Sequence, residues 1–217
     1  MNYDPSSISY QMKIKVCGMK VPGNIKGIAG LKPDYIGFIF YSKSPRYVGD
    51  LPAAEIAKLP ASIIKTGVFV NEDIKTVKRL INQYQLAAVQ LHGSESPGYC
   101  AELREKGTVL KAFGIDETFD FGVLADYADK VDYFLFDTKT AAHGGSGQVF
   151  DWRVLDQYQL DVPFFLSGGL SADNLTEVKQ IKHPAFYGVD LNSRFEMEPG
   201  LKDENKLRAA FTLLRTN

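Results

Sequence analysis

The chain has 217 residues, with 25 Lys and Arg against 26 Asp and Glu, for a formal net charge of -1. Hydrophobic residues make up 45% and charged residues 24%, which is enough apolar material for a core and excludes disorder as the main state. The balanced charge gives no support to nucleic-acid binding, and no apolar run approaches the ~18 residues needed to span a bilayer.

The N-terminus, Met1 to Gln11, contains Asp4, Pro5 and several serines. It lacks the basic start and apolar run of a secretory signal, so residues 1–12 read as a frayed extension ahead of one domain over residues 13–217. From Lys13 onward, short runs rich in Val, Ile, Phe and Tyr alternate with longer amphipathic stretches. The predicted strands are Lys13–Cys17, Tyr35–Phe40, Ile64–Val70, Ala87–Leu91, Val109–Phe113, Tyr133–Asp137, Phe164–Ser167 and Phe186–Leu191. Each is nearly continuously apolar, as a parallel strand buried on both faces should be. The predicted helices between them are Asn24–Gly30, Pro52–Lys58, Ile74–Tyr84, Gly98–Glu105, Phe119–Ala128, Trp152–Gln157, Asn174–Ile181 and Asn205–Leu214. Asn71 ahead of Glu72 and Asp73, Ser94 with Glu95 and Pro97, and Ser171 with Asn174 read as helix entries.

Eight strands alternate with eight helices, and no Gly-, Ser- or Pro-rich linker divides them. That pattern predicts an α/β fold, a single-domain (β/α)₈ barrel, with an open doubly wound sheet as the alternative. Two cysteines, Cys17 and Cys100, are too few for a disulfide scaffold. A reduced, cytoplasmic setting is the expectation. So is a monomer, with no nucleic-acid or membrane partner.

In such a barrel the active site gathers at the C-terminal ends of the strands. Ser167-Gly168-Gly169-Leu170 follows strand seven, and Asn192-Ser193 follows strand eight. Glycines there let backbone N–H groups approach an anion, and a helix start would add positive charge. Gly144-Gly145-Ser146-Gly147, after strand six, is a third such loop. Together the three favour a phosphorylated small ligand.

Cys17 ends strand one, where a catalytic thiol and a core cysteine are both open readings. Cys100 sits on the apolar face of its helix and reads as core. Asp137 ends an apolar strand. It suits a general acid with a raised pKa if little compensates its burial, or else a cap on loop N–H groups. Arg46, in Ser44-Pro45-Arg46-Tyr47, could fork onto a carboxylate or be an exposed loop arginine. His92 reads as a minor packing or hydrogen-bonding residue, and Trp152 as packing helix six onto the barrel. The histidines His92, His143 and His183 have no metal-ligand spacing.

At these residues the chain resembles the phosphoribosylanthranilate isomerase family of tryptophan biosynthesis. The matching segments begin with Lys15-Val16-Cys17-Gly18-Met19, Gly37-Phe38-Ile39-Phe40 with Ser44-Pro45-Arg46, Gly67-Val68-Phe69-Val70-Asn71 and Val89-Gln90-Leu91-His92-Gly93. They continue with Phe136-Asp137-Thr138, the 144–147 loop with Phe150-Asp151-Trp152, Leu166-Ser167-Gly168-Gly169-Leu170 and Gly188-Val189-Asp190. Glu196 and Pro199-Gly200-Leu201-Lys202-Asp203 complete the set.

The resemblance implies a barrel without cofactor or metal that converts N-(5'-phosphoribosyl)anthranilate to its 1-deoxyribulose 5-phosphate isomer by an Amadori rearrangement. It implies Cys17 as general base, Asp137 as general acid and Arg46 on the anthranilate carboxylate. It places the phosphate on Gly145, Gly147, Gly168, Gly169, Asn192 and Ser193. Where the family has a Ser-Ser-Gly turn, this chain has Asn192-Ser193-Arg194, so Arg194 lacks the freedom of Gly at positive φ. It could meet the phosphate or point to solvent. Another phosphosugar barrel enzyme, such as a pentose-phosphate epimerase or indole-glycerol-phosphate synthase, and a non-catalytic phosphate-binding barrel are the alternatives. Lys111 is the one residue that suggests the synthase.

Overall fold

A computed structural model describes residues 11–138 and 151–216. Eight parallel strands close into a barrel in chain order: β1 (Lys13–Val16), β2 (Tyr35–Ile39), β3 (Ile64–Phe69), β4 (Ala88–Leu91), β5 (Thr108–Ile115), β6 (Tyr133–Thr138), β7 (Phe164–Leu166) and β8 (Phe186–Leu191). β8 returns to β1 with Lys15 opposite Asp190, which closes the ring and leaves the barrel sheet without an edge. The predicted strands all form, with ends shifted by a residue or two.

The outer layer holds α1 (Pro22–Gly30), α2 (Ala53–Ala57), α3 (Ile74–Tyr84), α4 (Pro97–Arg104), α5 (Leu175–Val178) and α6 (Glu204–Arg215). α3 spans the predicted residues. Val77, Ile81 and Tyr84 recur at helical spacing and are its buried face. Its cap is Asp73 rather than Asn71: the Asp73 carboxylate accepts from the N–H groups of Lys75 and Thr76, worth about 1 kcal/mol. Gln85, at φ +50°, ends the helix. Likewise Ser96, not Ser94, caps α4. At Ser171 the bond runs backwards, from the Ser171 N–H to Asn174 Oδ1, and α5 keeps only four residues.

The predicted fifth- and sixth-unit helices, Phe119–Ala128 and Trp152–Gln157, are 3₁₀ turns over Phe121–Tyr127 and Trp152–Gln157. Asp120 and Asp151 each open one by accepting an N–H two residues on, a tight local bond that favours the tighter helix. Trp152 packs against the core as expected. After β8 a 3₁₀ turn (Ser193–Phe195) leads into a small hairpin, β9 (Glu196–Glu198) and β10 (Leu201–Lys202).

The main core lies between strands and helices and includes Ile14, Val16, Ile36, Phe38, Phe134, Phe136 and Phe164. The alternate residues face inward. There Tyr35, Ala88, Leu110, Ala112, Leu135 and Phe165 form a separate apolar plug. Polar residues that are also buried, Lys15, Thr66, Gln90 and Asp190, share the strands with that plug. Among the described residues no helix is long and apolar enough to cross a membrane.

Candidate active site

One cleft at the C-terminal ends of the strands is lined by Cys17, Arg46, Gln90, His92, Asp137, Ser167, Asp190 and Asn192, with Ile39, Tyr41, Ser44, Val68 and Val70. Of the residues singled out from sequence, Cys17, Arg46, His92, Asp137 and Asn192 therefore meet around one space. Gly145 and Gly147 lie outside the described residues.

Cys17 is the first residue past β1, and its N–H donates to the Leu191 carbonyl of β8. The chain then turns at Gly18, φ +78°, where the N–H groups of Gly18 and Met19 both donate to the Gly37 carbonyl. A side chain at Gly18 would also press on Arg46 Cδ, 2.7 Å from the position of a Cβ. Burial pushes the Cys17 thiol up, while the ammonium of Lys15 pulls it the other way. Cys100 is buried in α4 as expected.

Asp137 stands near the end of β6. Its Oδ1 accepts from the Thr138 N–H at 2.8 Å, and its Oδ2 lies 3.4 Å from His92 Nε2. The side chain keeps 22% of its exposure, so it is both less buried and better compensated than its apolar strand suggests. Gln90 Nε2 lies 2.8 Å from His92 Nδ1. With Gln90 as donor, the ring proton sits on Nε2 and faces Asp137. His92 is thus a direct neighbour of the acid rather than a packing residue.

Arg46 is not an exposed loop arginine. Its Nε and Nη2 fork onto Glu196, with Nη2 to Oε2 at 2.7 Å. Glu196 also accepts from Lys202 Nζ at 2.6 Å and from the Gly200 N–H. Together these partners hold the Glu196 carboxyl below its ordinary pKa although burial opposes them. Lys202 reaches on to Asn192 Oδ1 at 2.7 Å. Two cations around one carboxylate leave the cluster with a net positive charge, suited to an anionic ligand.

Gly168 and Gly169 both adopt left-handed backbone, at φ +80° and +65°. α5 starts only at Leu175, so the expected helix N-terminus does not stand behind these glycines. A turn tied by Asn174 Nδ2 to the Gly169 carbonyl does instead. Arg194 lies within the 3₁₀ turn and is absent from the positive-φ residues. Its replacement of Gly therefore carries no backbone strain.

Lys15, Gln90, Asp190, Glu196 and Lys202 were not singled out as site residues from sequence alone. The signal was a charged or amide side chain inside an apolar strand, at Lys15, Gln90 and Asp190. Among the described residues no cluster of three or more His, Cys, Asp or Glu could hold a metal. Lys111, the hint of a synthase, turns outward and is bound to Glu95 and to the carbonyls of Leu91, Gly93 and Ala112.

A family model described as N-(5'-phosphoribosyl)anthranilate (PRA) isomerase matches residues 14–212. The chain belongs to this family. It is 46% identical over 200 residues to N-(5'-phosphoribosyl)anthranilate isomerase of Parabacteroides distasonis, covering 91% of this chain and 90% of that one. Phosphoribosyl anthranilate isomerase of Thermus thermophilus superposes with a TM-score of 0.84 at 28% identity, over 94% of this chain and 98% of that one. A further family structure holds reduced 1-(o-carboxyphenylamino)-1-deoxyribulose 5-phosphate, with a TM-score of 0.80 at 28% identity over 94% and 98% of the two chains.

Proposed function

We propose that this isomerase converts N-(5'-phosphoribosyl)anthranilate to 1-(2-carboxyphenylamino)-1-deoxyribulose 5-phosphate in tryptophan biosynthesis, with Cys17 as general base and Asp137 as general acid. The observation that carries the assignment is that these two groups, from opposite sides of the ring, line the same cleft. Asp137, when protonated, gives its proton to the furanose ring oxygen, and the ring opens to a Schiff base. Cys17, as thiolate, takes the proton from ribose C2, and the resulting enolamine tautomerises to the ketone. The thiol must be tuned against its ordinary value, since a free Cys titrates near ~8.5.

Arg46 is the carboxylate partner. Glu196 takes Nε and Nη2, which fixes the plane of the guanidinium and leaves Nη1 for the anthranilate carboxylate. Gly168, Gly169, Asn192 and Ser193 take the phosphate, together with Gly145 and Gly147 from outside the described residues. A cytoplasmic setting fits the two free cysteines.

The test generates phosphoribosylanthranilate in situ from anthranilate and phosphoribosyl pyrophosphate and follows the loss of its fluorescence. The protein should accelerate that loss. Cys17→Ala and Asp137→Asn should each abolish most turnover while circular dichroism stays unchanged. Near-parental rates in either variant would remove that residue from its role. No acceleration by a folded parent would move the reading to another phosphosugar reaction.

A further inference from the structure

Lys15 is an unusual residue to find inside a barrel. Its side chain is completely buried, and its Nζ lies 2.9 Å from Asp190 Oδ2 of the adjoining strand. An ammonium in such a place is costly unless matched by charge and hydrogen bonds. Burial works against it, yet Asp190 and Cys17 outweigh that effect and keep Lys15 protonated. Cys17 continues the β1–β8 ladder one residue past β1 and is two residues on from Lys15, so their side chains leave the chain on the same face. They share a single hollow over Gly37: a Cβ on that glycine would lie 2.7 Å from Cys17 Sγ and 3.2 Å from Lys15 Nζ. The absence of a side chain there is what lets thiol and ammonium meet.

Asp190 adds a second observation. Its Oδ1 is buried and has no hydrogen-bond partner in the protein, although Asp190 lines the cleft. A pair kept only for stability would satisfy both oxygens. The titratable groups facing this pair are Lys202 from β10, Asp137 from β6 and His92 from the β4 loop. Lys15 is closest in sequence and the most buried, and with no exposure it does not reach substrate.

We propose that Lys15, tethered by Asp190, is a positioning residue that supplies the positive charge against which Cys17 ionises. This rests on the reading of Cys17 as the base. A thiolate is the reactive form of cysteine, and a fixed cation beside it favours that form. The proton that leaves Cys17 goes to solvent through the cleft, Lys15 keeps its own, and no other bond changes.

The experiment titrates the ultraviolet absorbance of the Cys17 thiolate in the full-length protein, taking the difference from Cys17→Ala so that Cys100 and the tyrosines cancel. Lys15→Met should raise the pH at which the thiolate appears. It should lower kcat/KM at neutral pH by about tenfold for each unit of that rise, chiefly through kcat, with partial recovery in alkali. Asp190→Asn removes the negative neighbour and should move the thiolate to lower pH. Opposite shifts from the two variants are the signature, because a merely structural pair would not move the thiol in two directions. If Lys15→Met fails to fold, the double variant Lys15→Met/Asp190→Asn removes both charges and should still ionise above the parent. A titration of Cys17 left unmoved, or moved the same way by both single variants, overturns the proposal. Retained turnover in Cys17→Ala would instead overturn the base assignment, while the titrations still decide what Lys15 does to the thiol.

Discussion

Among the described residues, two buried lysine–carboxylate pairs have their lysine on a barrel strand, Lys111–Glu95 and Lys15–Asp190, and they are built differently. Lys111 points outward from β5. Its Nζ meets the carbonyls of Gly93 at 2.7 Å, Ala112 at 3.0 Å and Leu91 at 3.2 Å, with Glu95 Oε2 at 3.2 Å and the Phe113 ring 4.9 Å away. Glu95 in turn accepts from the N–H groups of Asn71 and Gly93. Every polar group has a partner, and the result ties the loops after β3 and β4 to β5. Lys15 points inward, leans on one carboxylate oxygen of Asp190, and leaves the other oxygen buried without a partner. The same two residue types thus serve as a rivet on one face of the sheet and as an incompletely satisfied charge on the other. A closed network spends its polarity on shape, whereas an open one keeps some for a ligand or a neighbour.

The sharpest way to break this comparison is Lys111→Met. It strips Glu95 of its counter-charge and removes one hydrogen-bond donor from three carbonyls at once. Removing one member of a buried pair costs roughly 3–5 kcal/mol, read as a lower urea midpoint. The kcat of the folded fraction should stay near the parental value, since Lys111 lines no part of the cleft. A variant as stable as the parent would mean that the outward pair is not a rivet. A folded variant that has lost most of its kcat would make it part of the site.

Gly168→Ala sharpens the same contrast from the side of the acid. The residue sits at φ +80°, and a Cβ would collide with the Thr138 N–H and lie 2.5 Å from Asp137 Oδ1. Forcing a side chain into that backbone costs about 1–3 kcal/mol, less than the loss at Lys111. The larger consequence is for catalysis, because Asp137 has to shift, and displacing a reacting group by an ångström costs on the order of 10²-fold. Steady-state kinetics should show kcat falling well beyond what the small stability loss explains. An unchanged kcat would mean that Asp137 tolerates movement and is not held as a precisely placed acid.

The strands were legible because both faces of a parallel barrel strand are buried, which makes each a bright apolar run. The same property hid the inner face. With no alternation to read, Lys15, Gln90 and Asp190 looked like lapses in apolar strands, although period-two spacing puts Lys15 beside Cys17. Cys17, Asp137 and Arg46 were findable because each stands at or beyond the C-terminal end of a strand. Their partners were not, because the Arg46–Glu196 and Lys15–Asp190 contacts join residues 150 and 175 positions apart and exist only once β8 meets β1. Helix lengths were the weakest part. Local Asp and Asn side-chain bonds at Asp120, Asp151 and Asn174 tighten or shorten helices that apolar periodicity alone extends.

The smallest effect separates the two cysteines. Burial pushes Cys100 up to about 11; it also pushes Cys17 up, but against the pull of Lys15 and Lys202. Both thiols therefore ionise above the ordinary thiol range in the resting fold, and at Cys17 the two lysines work to enlarge the thiolate fraction that burial reduces. By linkage each contributes stability that is fully present below the ordinary thiol value of ~8.5 and is lost as pH rises through the raised, folded value. Alkylation by a small haloacetamide, followed by mass spectrometry across pH, should show both rates still climbing above that ordinary value. Cys17, which opens on the cleft, should react first, and Cys100 only as alkali loosens α4. An inflection for Cys17 at or below the ordinary value would mean that Lys15 and Lys202 overcome burial outright, making the inward lysine pair stronger than the geometry of one shared oxygen implies. Equal rates for the two thiols would erase the distinction between a cysteine that faces a site and one that only packs.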